Sequence, residues 1–148
     1  MKDIRLVIPG EPMGKQRPRV TRAGHAYTPK ETINYEAVIR ERFAAGYPGF
    51  VPMTGGVGLT IAAFFGVPKS ASKRQRERML NGEIPCTKRP DWDNIAKIVS
   101  DALNGIAWDD DAHIVRGTVS KDWSKSGFLV IEAWGRETEE PEASNGNP

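Results

Sequence analysis

The chain has 148 residues, which is enough for one domain with a hydrophobic core and few for two. Hydrophobic residues make up 39% and charged residues 27%, as in ordinary globular proteins, and the single cysteine, Cys86, excludes an internal disulfide. No signal peptide or membrane-spanning run is visible, so we expect a cytoplasmic protein that does not engage a membrane.

The net charge is only +2, but the basic residues are concentrated in two segments. Residues 1–30 and 68–89 each carry seven lysines and arginines against two acidic residues, a balance of +5 in each. Such segments are typical of proteins that grip a polyanion, although solvated faces are a commoner reason for charge runs. Residues 137–148 contain four glutamates, so we expect one domain at 1–136 and an acidic, disordered tail at 137–148.

The first predicted elements are a strand and an extended basic segment. Alternating apolar residues indicate a strand over 3–8, ended by Pro9 and Gly10. The segment that follows lacks the glycine spacing of a phosphate-binding P-loop, so we expect no nucleotide cofactor. Its cations are suited to contacts along a DNA backbone. The candidate DNA-binding residues of this segment are Lys15, Arg17 and Arg19.

A short hairpin closed near 26–29 leads to a predicted helix that ends near Ala45, and a buried strand is predicted over 56–67. The helix residues expected to face the core are Ile33, Ala37, Val38 and Phe43. A short basic helix after Pro68 is placed either to carry backbone phosphates towards the acidic residues or to act as a solubilising loop. The candidate DNA contacts here are Lys73, Arg74, Arg76, Lys88 and Arg89.

The next stretch predicts a helix from Trp92 to Asn104, because apolar residues recur at the spacing of one helical face. Asp91 falls at the cap of this helix and Asp93 in its first turn. Asp93, Lys97 and Asp101 then follow one another along an exposed stripe, since residues four apart are neighbours on a helix. We therefore expect the charged groups of this helix to point away from the core.

The turn at 109–111 leads to a predicted strand over 114–122, which we expect to form a hairpin with a strand over 127–134. Because the strand over 114–122 reverses the direction of the chain after the helix, it could bring Asp110 or Asp111 back beside the helix start. Converging carboxylates would require a divalent cation, and oxygen ligands favour Mg²⁺ or Mn²⁺ over zinc. A plainer interpretation makes these aspartates helix caps, ion-pair partners and a solvated turn. His113 is either a general base or a strand-end residue.

The acidic stretch resembles a known family of nucleases. The motifs that carry the resemblance are Thr87–Asn94 with Lys97, then 101–105, 108–112 and the N-terminal Gly10–Arg19. They resemble the RusA-type Holliday junction resolvases, small endonucleases common in phages and prophages, over nearly the whole chain. The resemblance implies Mg²⁺ binding by Asp91, Asp93 and Asp111, with Asp110 as a further ligand, and a catalytic Lys97. Trp92 stands where leucine is more usual.

We therefore predict one α+β domain with a mixed, mainly antiparallel sheet of four or five strands. The resemblance implies cleavage of four-way (Holliday) DNA junctions in recombination and repair. Because such a junction has two-fold symmetry, it also implies a homodimer with two active sites. Two alternatives stay open: another metal-dependent nuclease that acts on flaps, duplex or RNA, and a non-catalytic nucleic-acid-binding module.

Overall fold

The structure, a computed structural model, describes residues 2–135. Its elements in chain order are β1 (Lys2–Pro9), β2 (Arg19–Val20), β3 (Ala26–Tyr27), α1 (Lys30–Gly46), β4 (Val57–Gly66), α2 (Lys73–Leu80), α3 (Trp92–Leu103), a 3₁₀ turn (Asp111–His113), β5 (Ile114–Ser124) and β6 (Phe128–Gly135). The predicted α+β class with a mixed sheet is confirmed. The acidic tail predicted at 137–148 lies outside the described residues.

Strand β4 lies inside the main sheet, whose strand order is β1-β6-β4-β5. It pairs with β6 in antiparallel fashion and with β5 in parallel. Its near-continuous apolar run is typical of a strand that is covered on both faces. A parallel pair needs a long crossover connection, and helices α2 and α3 lie within the one between β4 and β5.

The predicted hairpin between the last two strands is wrong. Strands β5 and β6 pair with opposite edges of β4, so they are not neighbours in the sheet. A buried strand has hydrogen-bonding groups on both edges, and β4 satisfies them by taking β5 on one side and β6 on the other. The turn at 125–127 therefore carries the chain past the end of β4 rather than directly back along β5.

Helices α1 and α3 supply the apolar side chains that cover the sheet. The predicted inner face of α3 is confirmed, since Ile95, Ile98, Val99, Ala102 and Leu103 are all buried. The buried face of α1 is Thr32, Tyr35, Ile39 and Phe43, so Phe43 was placed correctly and Ala37 is half-buried. Ile33 and Val38 are 50% and 37% exposed because apolar residues occur on both sides of α1. Among residues 2–135, no helix has the length and apolar composition needed to cross a bilayer.

The two ends of the sheet provide the frame for the functional residues. At the Gly66 end, Gly66 pairs with Ser124 and Pro9 pairs with Phe128. Phe128 also pairs with Phe64, two residues before Gly66. The Val57 end comprises Lys2, Val57, Ile114 and Gly135, which are paired with one another. About 23 Å of strand separates Ile114 from Lys121 near the Gly66 end, at the usual rise per residue.

Candidate active site at the start of helix α3

Helix α3 begins where the chain packs against the N-terminal basic segment. The backbone N–H of Lys15 donates to the carbonyl of Asn94 over 2.8 Å, which fixes the segment beside the first turn of α3. Gly14 permits this approach, because a Cβ there would lie 2.6 Å from the Cβ of Pro90 and 3.0 Å from that of Asn94. Pro90 follows Arg89 through a cis peptide bond. The helix start and the segment at 12–16 therefore pack as one unit.

Asp91 and Asp93 present free carboxylates at this helix start. Asp91 occupies the N-cap position, but its side chain accepts no capping hydrogen bond. Asp93 lies in the first turn, and both side chains are exposed. Within residues 2–135, neither carboxylate takes part in an ion pair or a side-chain hydrogen bond. The interpretation of Asp91 as a side-chain cap is therefore wrong, and both groups are available to a ligand.

A cleft of about 390 Å³ opens between the helix start and the N-terminal segment. Its walls combine the apolar side chains of Met13 and Pro90 with the charged groups of Arg89 and Asp91. The side chain of Gln16 also lines the cleft, and its buried Oε1 has no hydrogen-bond partner in the described part of the chain. The cleft thus places the Arg89 guanidinium beside the free carboxylate of Asp91.

Lys15 also lines this cleft, but its ammonium group is held within the protein. It forms ion pairs with Glu36 on α1 and, over 3.2 Å, with Asp101 on α3. Burial lowers the pKa of Lys15, but the hydrogen bonds and charges of Glu36 and Asp101 outweigh that effect, so its pKa is raised. Lys15, predicted as a DNA contact, therefore ties the basic segment to both helices.

Lys97 lies one turn after Asp93 on the exposed face of α3. Its Nζ is 3.5 Å from Asp101 Oδ1, and its side chain is 62% exposed. The predicted stripe of Asp93, Lys97 and Asp101 is present, but the ion pair forms with Asp101 rather than with Asp93. Asp101 is shared with Lys15, and the exposed Lys97–Asp101 pair is weak because water surrounds it, so this pair does not hold the Lys97 ammonium firmly.

The second acidic group, Asp110 and Asp111, is fixed by hydrogen bonds around Trp108. The indole of Trp108 is fully buried, and its Nε1–H donates to Asp111 Oδ1 over 2.8 Å. Asp110 caps the 3₁₀ turn, since its Oδ1 accepts from the N–H of Ala112 over 2.9 Å. Each aspartate therefore uses one carboxylate oxygen in a hydrogen bond, and its other oxygen accepts none within residues 2–135.

The two acidic groups are anchored at opposite ends of α3. Trp108 bridges to Asn104, directly after the last turn of the helix, and Asp111 precedes Ile114 at the Val57 end of the sheet. Asp91 lies at the N-cap position of the first turn, and Lys121 near the Gly66 end donates to the carbonyl of Lys88 just before it. The twelve residues of α3 span about 18 Å. The predicted return of the acidic turn to the helix start is therefore not observed.

The carboxylates of Asp91, Asp93, Asp110 and Asp111 suit a hard divalent cation, but the described part of one chain does not bring them together at one point. Exposed carboxylate oxygens are the usual ligands of Mg²⁺ and Mn²⁺. No group of three or more histidine, cysteine, aspartate or glutamate side chains within residues 2–135 is arranged to hold a metal ion. Each end of α3 thus offers two carboxylates, half of the predicted set of four.

Most of the other predicted DNA contacts are exposed. Arg17 and Arg19 belong to the arm that contains the β2–β3 hairpin, where Arg19 pairs with Tyr27. Lys73 and Arg74 are exposed on α2, and Arg76 is half-buried there. Lys88 and Arg89 are exposed just before α3, with Lys88 Nζ 3.7 Å from Glu11. The arm with Arg17 and Arg19 continues directly from the cleft wall formed by residues 12–16. Lys88 and Arg89 lead into the opposite wall at the start of α3.

Sequence reasoning missed two residues that position this site, Glu11 and Lys121. The Oε1 of Glu11 accepts from the backbone N–H of Gly66 over 2.8 Å, and its Oε2 faces Lys88. Lys121 on β5 donates to the carbonyl of Lys88. The only available signal was the position of Glu11 inside the N-terminal motif, whereas Lys121 has no local signature because its role depends on strand pairing.

His113 ends the 3₁₀ turn that follows the second acidic group. It is half-buried, and its Nδ1 is buried without a hydrogen-bond partner in the described part of the chain. It lies at the Val57 end of the sheet, next to Ile114, and is therefore remote in the fold from the start of α3. The choice between a general base and a strand-end residue stays a prediction.

An α+β domain with an acidic helix start between two basic segments is the arrangement of a protein that processes nucleic acid. The chain matches the family described as Endodeoxyribonuclease RusA over residues 9–133. It therefore belongs to the RusA endodeoxyribonuclease family, a family of DNA endonucleases. A protein of Bacillus subtilis (strain 168) named Uncharacterized protein YqaN is 32% identical over 136 residues, which cover 88% of this chain and 95% of that protein.

Proposed function

We propose that this protein is a Mg²⁺-dependent endonuclease that resolves four-way DNA junctions in recombination and repair. The observation that carries the proposal is the pair of free carboxylates, Asp91 and Asp93, at the start of α3. A side-chain cap or an internal ion pair would explain these aspartates structurally, and neither is present among residues 2–135. In a DNA endonuclease family, two unengaged carboxylates beside a cationic cleft support a site for a cation and a phosphate.

The residues of the chain have separate tasks in this proposal. Asp91 and Asp93 hold the cation at the helix start, and Asp110 and Asp111 contribute their free oxygens. Lys97, one turn beyond Asp93, offsets the negative charge that builds up on the phosphate in the transition state. A divalent cation, when bound, would activate water and neutralise charge during phosphodiester hydrolysis, and Mg²⁺ or Mn²⁺ fits these oxygen donors.

A second copy of the chain would bring the two acidic groups together. Within one chain they are anchored about 18 Å apart along α3, far more than metal–oxygen bonds of about 2 Å allow. A two-fold dimer can set the start of α3 in one chain against the acidic turn of the other, and the same operation completes a second site. Two equivalent sites are also what a two-fold symmetric junction needs for paired cuts.

The basic residues would hold the arms of the junction. Arg17 and Arg19 on the hairpin arm, and Lys73, Arg74 and Arg76 on α2, are suited to backbone phosphates because phosphate contacts position a protein on DNA. Lys88 and Arg89 lie nearest the aspartates and would hold the strand that is cut. Lys15 has a structural part in this scheme, because it keeps the basic segment on α1 and α3.

The test is cleavage of a labelled four-way junction, a matched duplex and a single strand, with Mg²⁺ or EDTA. We expect paired nicks in the junction alone, lost with EDTA and in Asp93→Asn while binding to the junction is retained. Asp3→Asn is the matched control, because Asp3 is an exposed aspartate on β1, away from the start of α3. Its cleavage should equal that of the wild type.

Three other outcomes would contradict the proposal in different ways. Equal cleavage of all three substrates would indicate a general nuclease that keeps the metal site. Cleavage that survives in EDTA would remove the metal from the reaction. Junction binding without cleavage under any condition would indicate a nucleic-acid-binding module whose aspartates have no catalytic part.

A further inference from the structure

Trp92 is an apolar residue on the inner stripe of α3 that the core does not cover. It precedes Ile95 by three residues and Val99 by seven, so it lies on the same helical face as these buried residues. Its side chain is nevertheless 65% exposed, whereas Ile95 and Val99 are fully buried. Among residues 2–135, the core that covers Ile95 and Val99 therefore leaves most of the indole of Trp92 uncovered.

The charges around Trp92 restrict what can lie on it. Asp91 and Asp93 are its sequence neighbours, and neither carboxylate has a partner in the described part of the chain. These carboxylates disfavour a phosphate group on the indole, because both groups are negatively charged. An uncharged base is not repelled, and any of the four bases has a π-face that stacks on an aromatic ring. In duplex DNA that face is covered by neighbouring base pairs, so only an unpaired or unstacked base can reach the indole.

We propose that Trp92 stacks on an unpaired or unstacked base of the DNA next to the phosphate that is cut. This inference rests on the proposed function, because it places the phosphate at Asp91 and Asp93. Strand exchange at a branch point leaves bases that are easily unstacked, so the contact favours branched DNA over continuous duplex. Trp92 is thus a substrate-binding residue that contributes to selectivity, while the carboxylates carry out the chemistry.

The experiment compares Trp92→Ala, Trp92→Phe and the wild type in binding to a four-way junction and to a matched duplex, in EDTA. A stacked base contributes about 1–3 kcal/mol, so Trp92→Ala should weaken junction binding about 5- to 150-fold and leave duplex binding unchanged. Trp92→Phe keeps a stacking ring and should retain most of the affinity. The matched control is Val51→Ala, which removes another exposed apolar side chain, and it should bind both DNAs like the wild type.

A fluorescent base tests the contact itself. With 2-aminopurine at the branch point, the wild type should quench the fluorescence more strongly than Trp92→Ala does. Unchanged junction affinity in Trp92→Ala, or an equal loss on junction and duplex, would overturn the inference while the proposed function stands if the wild type still cuts junctions. A wild type that neither prefers nor cuts the junction would overturn the proposed function and this inference together.

Discussion

Mixed dimers offer the sharpest test of a site that is shared between two chains. Asp93→Asn removes a carboxylate at the start of α3, and Asp111→Asn removes one at the other end of that helix. If each site combines the helix start of one chain with the acidic turn of its partner, a dimer of the two variants has one site that carries both substitutions. Its other site is intact.

The size of the recovery follows from counting sites. Random mixing of two variants yields about half mixed dimers, each with one working site of two, so cleavage should return to about a quarter of the wild-type level. The products should be single nicks rather than paired cuts. The separation of about 18 Å between the anchoring ends of α3 explains why one chain alone would not reconstitute the site.

The assay uses the two variants carrying different affinity tags, with mixed dimers isolated through both tags and tested on a labelled junction. Each variant alone should be inactive. A mixture of Asp91→Asn with Asp93→Asn is the matched control, because both substitutions fall in the same half and leave no complete site. If isolated mixed dimers of Asp93→Asn and Asp111→Asn showed no cleavage, the shared site would be refuted.

Three further predictions concern the frame of the site. Gly14→Ala places a Cβ 2.6 Å from Pro90, so it should lower the free energy of unfolding by about 1–3 kcal/mol and reduce cleavage; Gly117→Ala, which meets nothing within 4 Å, is the control in urea denaturation. Burial raises the pKa of Tyr35 from 10.0 to about 12, so the tyrosine contributes stability below pH 10 that is lost as the pH rises towards 12. In Tyr35→Phe, the decrease in the free energy of unfolding between pH 10 and pH 12 should be smaller by about 2–3 kcal/mol. The same decrease in the variant and the wild type would contradict this. Arg74→Ala should reduce the salt dependence of DNA binding by about one counterion, whereas Arg78→Ala, already paired with Glu83 over 3.1 Å, should change it less.

Local patterns in the sequence were sufficient for the elements that depend on neighbouring residues. The inner face of α3 follows from apolar spacing. The short β2–β3 hairpin was also predicted correctly. On α1, apolar residues on both sides gave no clear stripe, so the predicted face included the exposed Ile33 and Val38.

What the sequence could not provide were the contacts between distant segments. The pairing of β5 with β4 depends on both edges of β4 being satisfied, and that is a property of the whole sheet. The partners of Lys15, Glu36 and Asp101, likewise lie on separate helices, so an apparently free cation was expected to contact DNA.

The placement of two carboxylates at each end of α3 has a consequence for control of the enzyme in the cell. If the dimer shares its sites in this way, a newly made chain carries two half-sites that are too far apart to form one active site. It cannot nick DNA before it meets its partner. At concentrations where single chains predominate, the number of working sites rises with the square of the protein concentration. A low level of expression is then nearly silent, and activity rises steeply once enough protein has accumulated.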